Sequence, residues 1–348
     1  MAIRSVRTFV CKASLMGLAL AAAQSPPARA ADPIQLSLPL VCEPHKDCFI
    51  QNYFDDEQGS GVHDYLCGGA SYDTHDGIDF RLISAAATKA NVAVVASADG
   101  VVKGLRDGVP DIFKRDNNAA AVKGLECGNG VVLDHGNGWE TQYCHMKMGT
   151  VVVASGQAVK RGDRLGSVGF SGQADFAHVH LTVRHNGRAI DPFWANAAPG
   201  ADACHREGAT DTLWQPSVVA SFPYRTGEII GSGFSAEPLD LNTLELDHTA
   251  VTLPNGSSPV IRFYGRFINL LAGDRIRITV AGPDGSLIES LAEPLTHTKA
   301  TYLGFAGVKR KTEMWTAGRY EGRVEIVRDG AVAASSSAAV DIVGDEKK

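Results

Sequence analysis

His178-Val179-His180 is the stretch on which the reading of this chain turns. A β-strand sends alternate side chains to the same face. A strand over residues 178–183 would therefore present His178 and His180 side by side. Taken alone, such a pair is as much at home on a solvated surface as in a site. Upstream lie His75-Asp76-Gly77-Ile78-Asp79 and Tyr143-Cys144-His145. Together these supply imidazoles and a carboxylate of the kinds that hold zinc.

The surrounding text predicts an all-β region. Short apolar runs at 92–96, 131–133, 151–153 and 181–183 alternate with glycine turns, a spacing typical of short antiparallel strands. Gly156, Gly162, Gly166, Gly169 and Gly172 predict tight turns before the histidine pair. His135-Gly136-Asn137-Gly138 predicts a hairpin. Residues 105–126, with Asp107, Asp111, Lys114, Arg115 and Asp116, read as an inserted polar loop.

The domain expectation is a lead-in over 31–72, an antiparallel β-sheet domain over 73–200, a linker over 201–216 and a C-terminal β-sandwich (Ig-like) over 217–344. In the last of these, Ile276, Ile278 and Val280 alternate with Arg275, Arg277 and Thr279, and Val324 and Ile326 alternate with Arg323 and Glu325. Such half-buried strands suit a sandwich. Its expected role is that of an accessory or docking module.

The chain has 348 residues, enough for two ordinary domains. Arg4, Arg7 and Lys12 flank an apolar stretch at 15–23 that is too short to span a bilayer, and Ala28-Arg29-Ala30 offers a small-x-small cleavage site. These predict a signal peptide over 1–30 cut after Ala30, a secreted or periplasmic destination, and no stable membrane insertion afterwards. Cleavage would remove four basic residues, leaving 29 against 39 acidic ones and moving the formal charge from −6 to −10. The absence of a basic stripe argues against a nucleic-acid partner.

Six cysteines would remain: Cys42, Cys48, Cys67, Cys127, Cys144 and Cys204. An even number in an exported chain predicts disulfides, with many pairings open. Cys127–Cys144 is favoured by the hairpin, which brings its flanking strands together. The remaining four allow three pairings, of which Cys42–Cys48 with Cys67–Cys204 is the expectation.

His75, Asp79 and His180 would supply two nitrogens and one oxygen to one zinc ion, leaving a position for water. His145 and His178 would then act as general base and acid, or steady an oxyanion. An ordinary imidazole titrates in the range such work needs.

His75-x-Gly77-x-Asp79, then Tyr143-Cys144-His145-Met146, then Gly156-Gln157-Ala158-Val159-Lys160-Arg161-Gly162, then His178-x-His180 together resemble the M23 metallopeptidases of the lysostaphin/LytM type. Their usual text is H-x-G-x-D, Y-x-H-[LM], G-x-x-V-x-x-G and H-x-H. Any one block is weak and the ordered set is specific. The resemblance covers residues 72–195. It implies a small antiparallel β-domain with a groove, a zinc ion, and cleavage of peptide bonds, most often in peptidoglycan cross-links. By position His75, Asp79 and His180 match the metal ligands, and His145 and His178 the catalytic histidines. Cys144 departs from the small residue common there, and the 105–126 insertion has no counterpart in the minimal domain. Some relatives carry an N-terminal segment that blocks the metal. Asn52 is the candidate here, against a plain reading as a loop amide.

The expected function is an exported zinc endopeptidase acting on peptidoglycan. The alternatives are a non-catalytic or regulatory wall-binding protein that retains the site, and a peptidase acting on proteins. Arg81 reads by default as a solvated strand-end charge, with contact to substrate as the alternative. His45, His63, His135, His185, His205, His248 and His297 read as turn or surface residues without a second metal site.

Overall fold

A computed structural model of the chain describes residues 1–2, 34–57, 59–116, 122–195 and 211–343. The expected signal peptide (save residues 1–2), most of the expected linker and the Cys67–Cys204 pairing lie outside the described residues. Residues 33–348 form one compact unit.

The first half of that unit is built from ten strands: β1 (Cys48–Asn52), β2 (Ile78–Leu82), β3 (Ala93–Val95), β4 (Gly100–Arg106), β5 (Asn129–Gly136), β6 (Trp139–Met146), β7 (Ala158–Val159), β8 (Arg164–Ser167), β9 (His178–His185) and β10 (Arg188–Ile190). The main sheet has the order β1-β2-β9-β6-β5-β4-β7, with β10 paired to β9, and β3 pairs with β8 in a small second sheet. Every pairing is antiparallel. The 135–138 text forms the turn between β5 and β6, with Gly136, Asn137 and Gly138 all at positive φ. This is backbone that glycine and asparagine adopt at least cost.

Period-two alternation gives the main sheet two unlike faces. Ile78, Phe80 and Leu82 of β2 and Val179, Leu181 and Val183 of β9 are buried in one core with Val94, Leu165, Trp214 and Phe222. Each such side chain contributes about 1.5–3 kcal/mol on burial. The opposite face of the same strands carries Asp79, Arg81, His178, His180 and Thr182. The core requirement on one face therefore fixes which side chains share the other.

The lead-in is part of this sheet, because β1 is its edge strand. Leu213 and Trp214, read from the sequence as linker, are fully packed in the core. The run at 151–153 forms no strand. The amide of Val151 donates to Asp107 and that of Val152 to the Leu165 carbonyl, so the segment is tied to two different neighbours and not to one ladder.

The C-terminal half comprises α1 (Pro216–Ser221), β11 (Glu228–Ser235), α2 (Leu241–Leu246), β12 (Val260–Leu270), β13 (Arg275–Gly282), β14 (Gly285–Leu291), β15 (Lys299–Lys309), β16 (Gly318–Arg328) and β17 (Ala331–Ile342). A three-stranded sheet, β11-β12-β15, faces a four-stranded one, β14-β13-β16-β17. Phe263 and Phe267 from the first meet Ile276, Ile278, Val324 and Ile326 from the second in a shared core. This is the predicted sandwich. It is joined to the first half by an apolar cluster of Phe49, Ile83, Ile230 and Ile268. Among the described residues no helix is long and apolar enough to cross a membrane.

Candidate metal centre

Strand register brings the first residues together. Asp79 of β2 is opposite His180 of β9, and Arg81 is opposite His178. His75 arrives from the loop before β2. Gly77 lets it approach: a Cβ there would sit 2.5 Å from the Leu181 carbonyl oxygen and 2.6 Å from His180 Nε2. The glycine of H-x-G-x-D is therefore required by the imidazole beside it.

His75 Nε2 lies 3.1 Å from His180 Nδ1 and 3.2 Å from Asp79 Oδ1, and His180 Nδ1 lies 2.9 Å from the same oxygen. All three residues are buried. The outward nitrogens of both rings are engaged. His75 Nδ1 donates to the Tyr53 carbonyl at 2.6 Å. His180 Nε2 lies 2.9 Å from Thr182 Oγ1 and 3.2 Å from Asp76 Oδ1. A carbonyl can only accept, so His75 carries a proton on Nδ1, and Nε2 is the atom it turns inward. Two nitrogens and an oxygen that converge, backed by outer acceptors, are a donor set suited to zinc.

The electrostatics fit a site made for a cation. Burial would raise the Asp79 carboxyl, but the imidazoles of His75 and His178 and the hydrogen bonds from His180 and His75 hold it well below the usual carboxylate range. Burial likewise works against charge on His180, yet Asp76 and Asp79 overcome it and raise that ring to about 9. In the metal-free protein a proton on His180 thus balances Asp79.

The other two predicted histidines stand beside this cluster. His145 and His178 have ring centroids 4.5 Å apart, and His178 Nε2 is 3.5 Å from Asp79 Oδ1. Regular alternation on β6 would point His145 into the core with Tyr143. It does not, because β6 is bulged there: Tyr143 is opposite Val131 while Met146 is opposite Asn129. His145 takes φ 60°, a left-handed conformation unusual for a residue with a Cβ. A bulge that re-aims one side chain is a recurrent feature beside active sites. The adjoining disulfide Cys127–Cys144, with Cα atoms 4.8 Å apart, and the His145 amide donating to the Cys127 carbonyl fasten the bulge.

Both rings have a fixed tautomer. His145 Nδ1 donates to the Ser171 carbonyl and His178 Nδ1 to the Phe176 carbonyl, each at 2.8 Å. Nε2 is then the bare nitrogen of each. Burial, with His178 and His180 adding to it, pushes His145 well below the ordinary imidazole value. Burial lowers His178 too, against the pull of Asp79. The geometry thus offers two neutral bases next to a three-atom donor set.

The structure also corrects and extends the sequence reading. Arg81 is not a solvated charge; it is fully buried on the site face, bonded to Gln51 and Glu245 and lying over the Phe176 ring at 4.8 Å. Tyr72 packs its ring 4.5 Å from that of His75. Burial and the Asp79 and Asp76 carboxylates push its hydroxyl up, so it stays a donor. Asp76, Thr182, Tyr53 and Ser171 were absent from the sequence-derived site. Asp76 and Thr182 lie within the H-x-G-x-D block and one alternation beyond His180, a signal that period-two reasoning could have used. The Tyr53 and Ser171 contributions are backbone carbonyls, for which side-chain identity carries no signal. The Cys42–Cys48 disulfide is formed as expected. Asn52 lies at the site, with Nδ2 2.7 Å from Asp79 Oδ2.

Residues 73–192 match the family model described as Peptidase family M23. Over 135 residues the chain is 30% identical to the peptidoglycan DD-endopeptidase ShyA of Vibrio cholerae, covering 39% of this chain and 26% of that protein. Over 120 residues it is 32% identical to the DD-carboxypeptidase/endopeptidase Mpg of Neisseria meningitidis serogroup B, covering 34% of this chain and 22% of that protein. The chain thus spans about a quarter of the length of these curated relatives. A solved structure described as a zinc containing peptidase from Vibrio cholerae is 21% identical, covers 47% of this chain and 41% of that one, and has a TM-score of 0.26.

Proposed function

We propose that this protein is an exported zinc endopeptidase that hydrolyses peptide cross-links of peptidoglycan. The observation that carries the reading is the convergence of His75 Nε2, Asp79 Oδ1 and His180 Nδ1 beside two histidines whose bare Nε2 atoms are fixed by carbonyl partners. His75, Asp79 and His180 are the metal ligands. Zinc held there supplies water made acidic enough to ionise near neutral pH and a polarised scissile carbonyl.

His145 and His178 do the proton work. Each keeps its N–H on a carbonyl and its lone pair toward the site, so each is neutral and ready to accept. The pair takes the proton lost by the attacking water and returns one to the leaving amine nitrogen. The protonated ring also steadies the negative charge that gathers on the carbonyl oxygen. Peptidoglycan as substrate is supported by the likeness to ShyA and Mpg.

A paired substrate assay tests this reading. Zinc-loaded full-length protein is given purified cross-linked peptidoglycan in one arm and an unfolded protein in the other. New amino groups in the peptidoglycan arm alone are expected. Cleavage of the protein alone would replace the wall substrate with a protein one. Silence in both arms, with zinc bound, would favour a regulatory protein that keeps the site.

A further inference from the structure

The Asp79 carboxylate is divided between two sets of neighbours. Oδ1 faces His75 Nε2, His180 Nδ1 and His178 Nε2, at 3.2, 2.9 and 3.5 Å. Oδ2 accepts from Asn52 Nδ2 at 2.7 Å. Asn52 is buried at the end of β1, opposite Asp79 in the pairing of β1 with β2, where the register shifts between Ile50 and Asn52. It lies outside the segment 73–192 that matches the family model. A carboxylate only accepts, so the amide must present its NH2 to it and not its oxygen.

We propose that Asn52 is a positioning residue for the metal centre, fixing the rotation of the Asp79 carboxylate so that Oδ1 points at the two ligand nitrogens. The proposal rests on the reading of His75, Asp79 and His180 as ligands. Without the amide, Oδ2 would be a buried acceptor with no donor among the described residues, and the carboxylate would be freer to turn about its last bond. The next residue does the same service for a second ligand, since the Tyr53 carbonyl fixes the His75 ring at 2.6 Å. Two consecutive lead-in residues thus orient two of the three ligands. Asn52 serves the site as a support for a ligand, in place of the blocking role considered from its sequence position. Outer partners of this kind are typically worth about 10- to 100-fold in metal affinity.

The test uses full-length wild-type protein, Asn52→Leu and Asn52→Ala. The first variant fills the space without a donor and the second empties it. Each is stripped of metal, checked for fold by circular dichroism and thermal unfolding, and titrated with zinc against a competing chromophoric chelator. Zinc affinity about 10- to 100-fold weaker in a folded variant is the expected result. Wild-type affinity in a folded variant overturns the proposal, even if the metal-free unfolding midpoint has dropped, because the amide would then serve strand pairing alone. Failure of the wild-type protein to bind zinc overturns the ligand reading itself, and the role of Asn52 with it.

Discussion

Arg81 of β2 gives its Nη2 to both carboxylate oxygens of Glu245 in α2, at 2.8 Å each, although 164 residues separate them. Arg266 of β12 shares the same carboxylate. Arg81 is fully buried and lies over Phe176, whose ring is 4.5 Å from that of His178. The C-terminal half therefore neutralises a charge buried in the wall of the metal centre. Removing one partner from a buried ion pair costs about 3–5 kcal/mol, because the other charge is left unpaired. Glu245→Ala should destabilise the protein by about that amount, measured by denaturant unfolding. A chain ended before β11 should be unstable or insoluble. A well-folded, fully active fragment would show that the sandwich is dispensable to the site.

Gly77→Ala should act directly on His180. Its new methyl would lie against His180 Nε2 and the Leu181 carbonyl. Backbone cannot yield cheaply, so a cost of about 1–3 kcal/mol is expected from overpacking. Zinc affinity should fall with it, since the displaced ring belongs to the proposed ligand set. Chelator competition checks the second effect and thermal unfolding the first.

The Cys127–Cys144 disulfide closes a loop of sequence separation 17. By the chain-entropy account such a closure stabilises by about 3 kcal/mol. Replacing both cysteines by serine should lose roughly that much. It should also loosen the left-handed bulge at His145, so turnover should fall further than zinc affinity. Equal losses in both would place the disulfide's effect on the whole domain and not on the bulge.

Zinc binding should depend on pH in a stated direction. His180 is raised to about 9 in the metal-free protein, so at pH 7 a proton occupies a nitrogen of the proposed ligand set. Ligands must be deprotonated to bind, and displacing one proton makes affinity rise about tenfold per pH unit until its pKa is passed. Apparent affinity should therefore climb from pH 7 to about 9 and then level. Without metal the sign reverses. A raised pKa gives stability that is full below the ordinary imidazole value and is lost as pH rises through about 9. Calorimetry in buffers of different ionisation heat should record about one proton released at pH 7.5.

Much of this site was legible because its pattern is local. His178 and His180 share a face through a period of two, and core residues Val179, Leu181 and Val183 leave that face no choice. Register then places Asp79 opposite His180. The hairpin was legible from its glycines and asparagine. What escaped depends on distance. Glu245 buries Arg81 from the far half of the chain, and no local text marks either residue as paired. The bulge that turns His145 arises from how β5 and β6 pair, and the motif names the residue without the twist. The 151–153 run has strand composition, but Asp107 of the inserted loop takes one of its amides. Asn52 looked like a loop amide because β1 lacks alternation: all five of its residues are buried.

One measurement bears most directly on the central claim. Cross-linked peptidoglycan would be digested with zinc-loaded wild-type protein, the same protein with a chelator, and zinc-loaded His178→Ala, and the muropeptides read by mass spectrometry. The account predicts loss of cross-linked dimers with wild type alone, and a His178→Ala protein that binds zinc but does not cut. Dimers that persist with folded, zinc-loaded wild-type protein, or that disappear equally with His178→Ala, would contradict it.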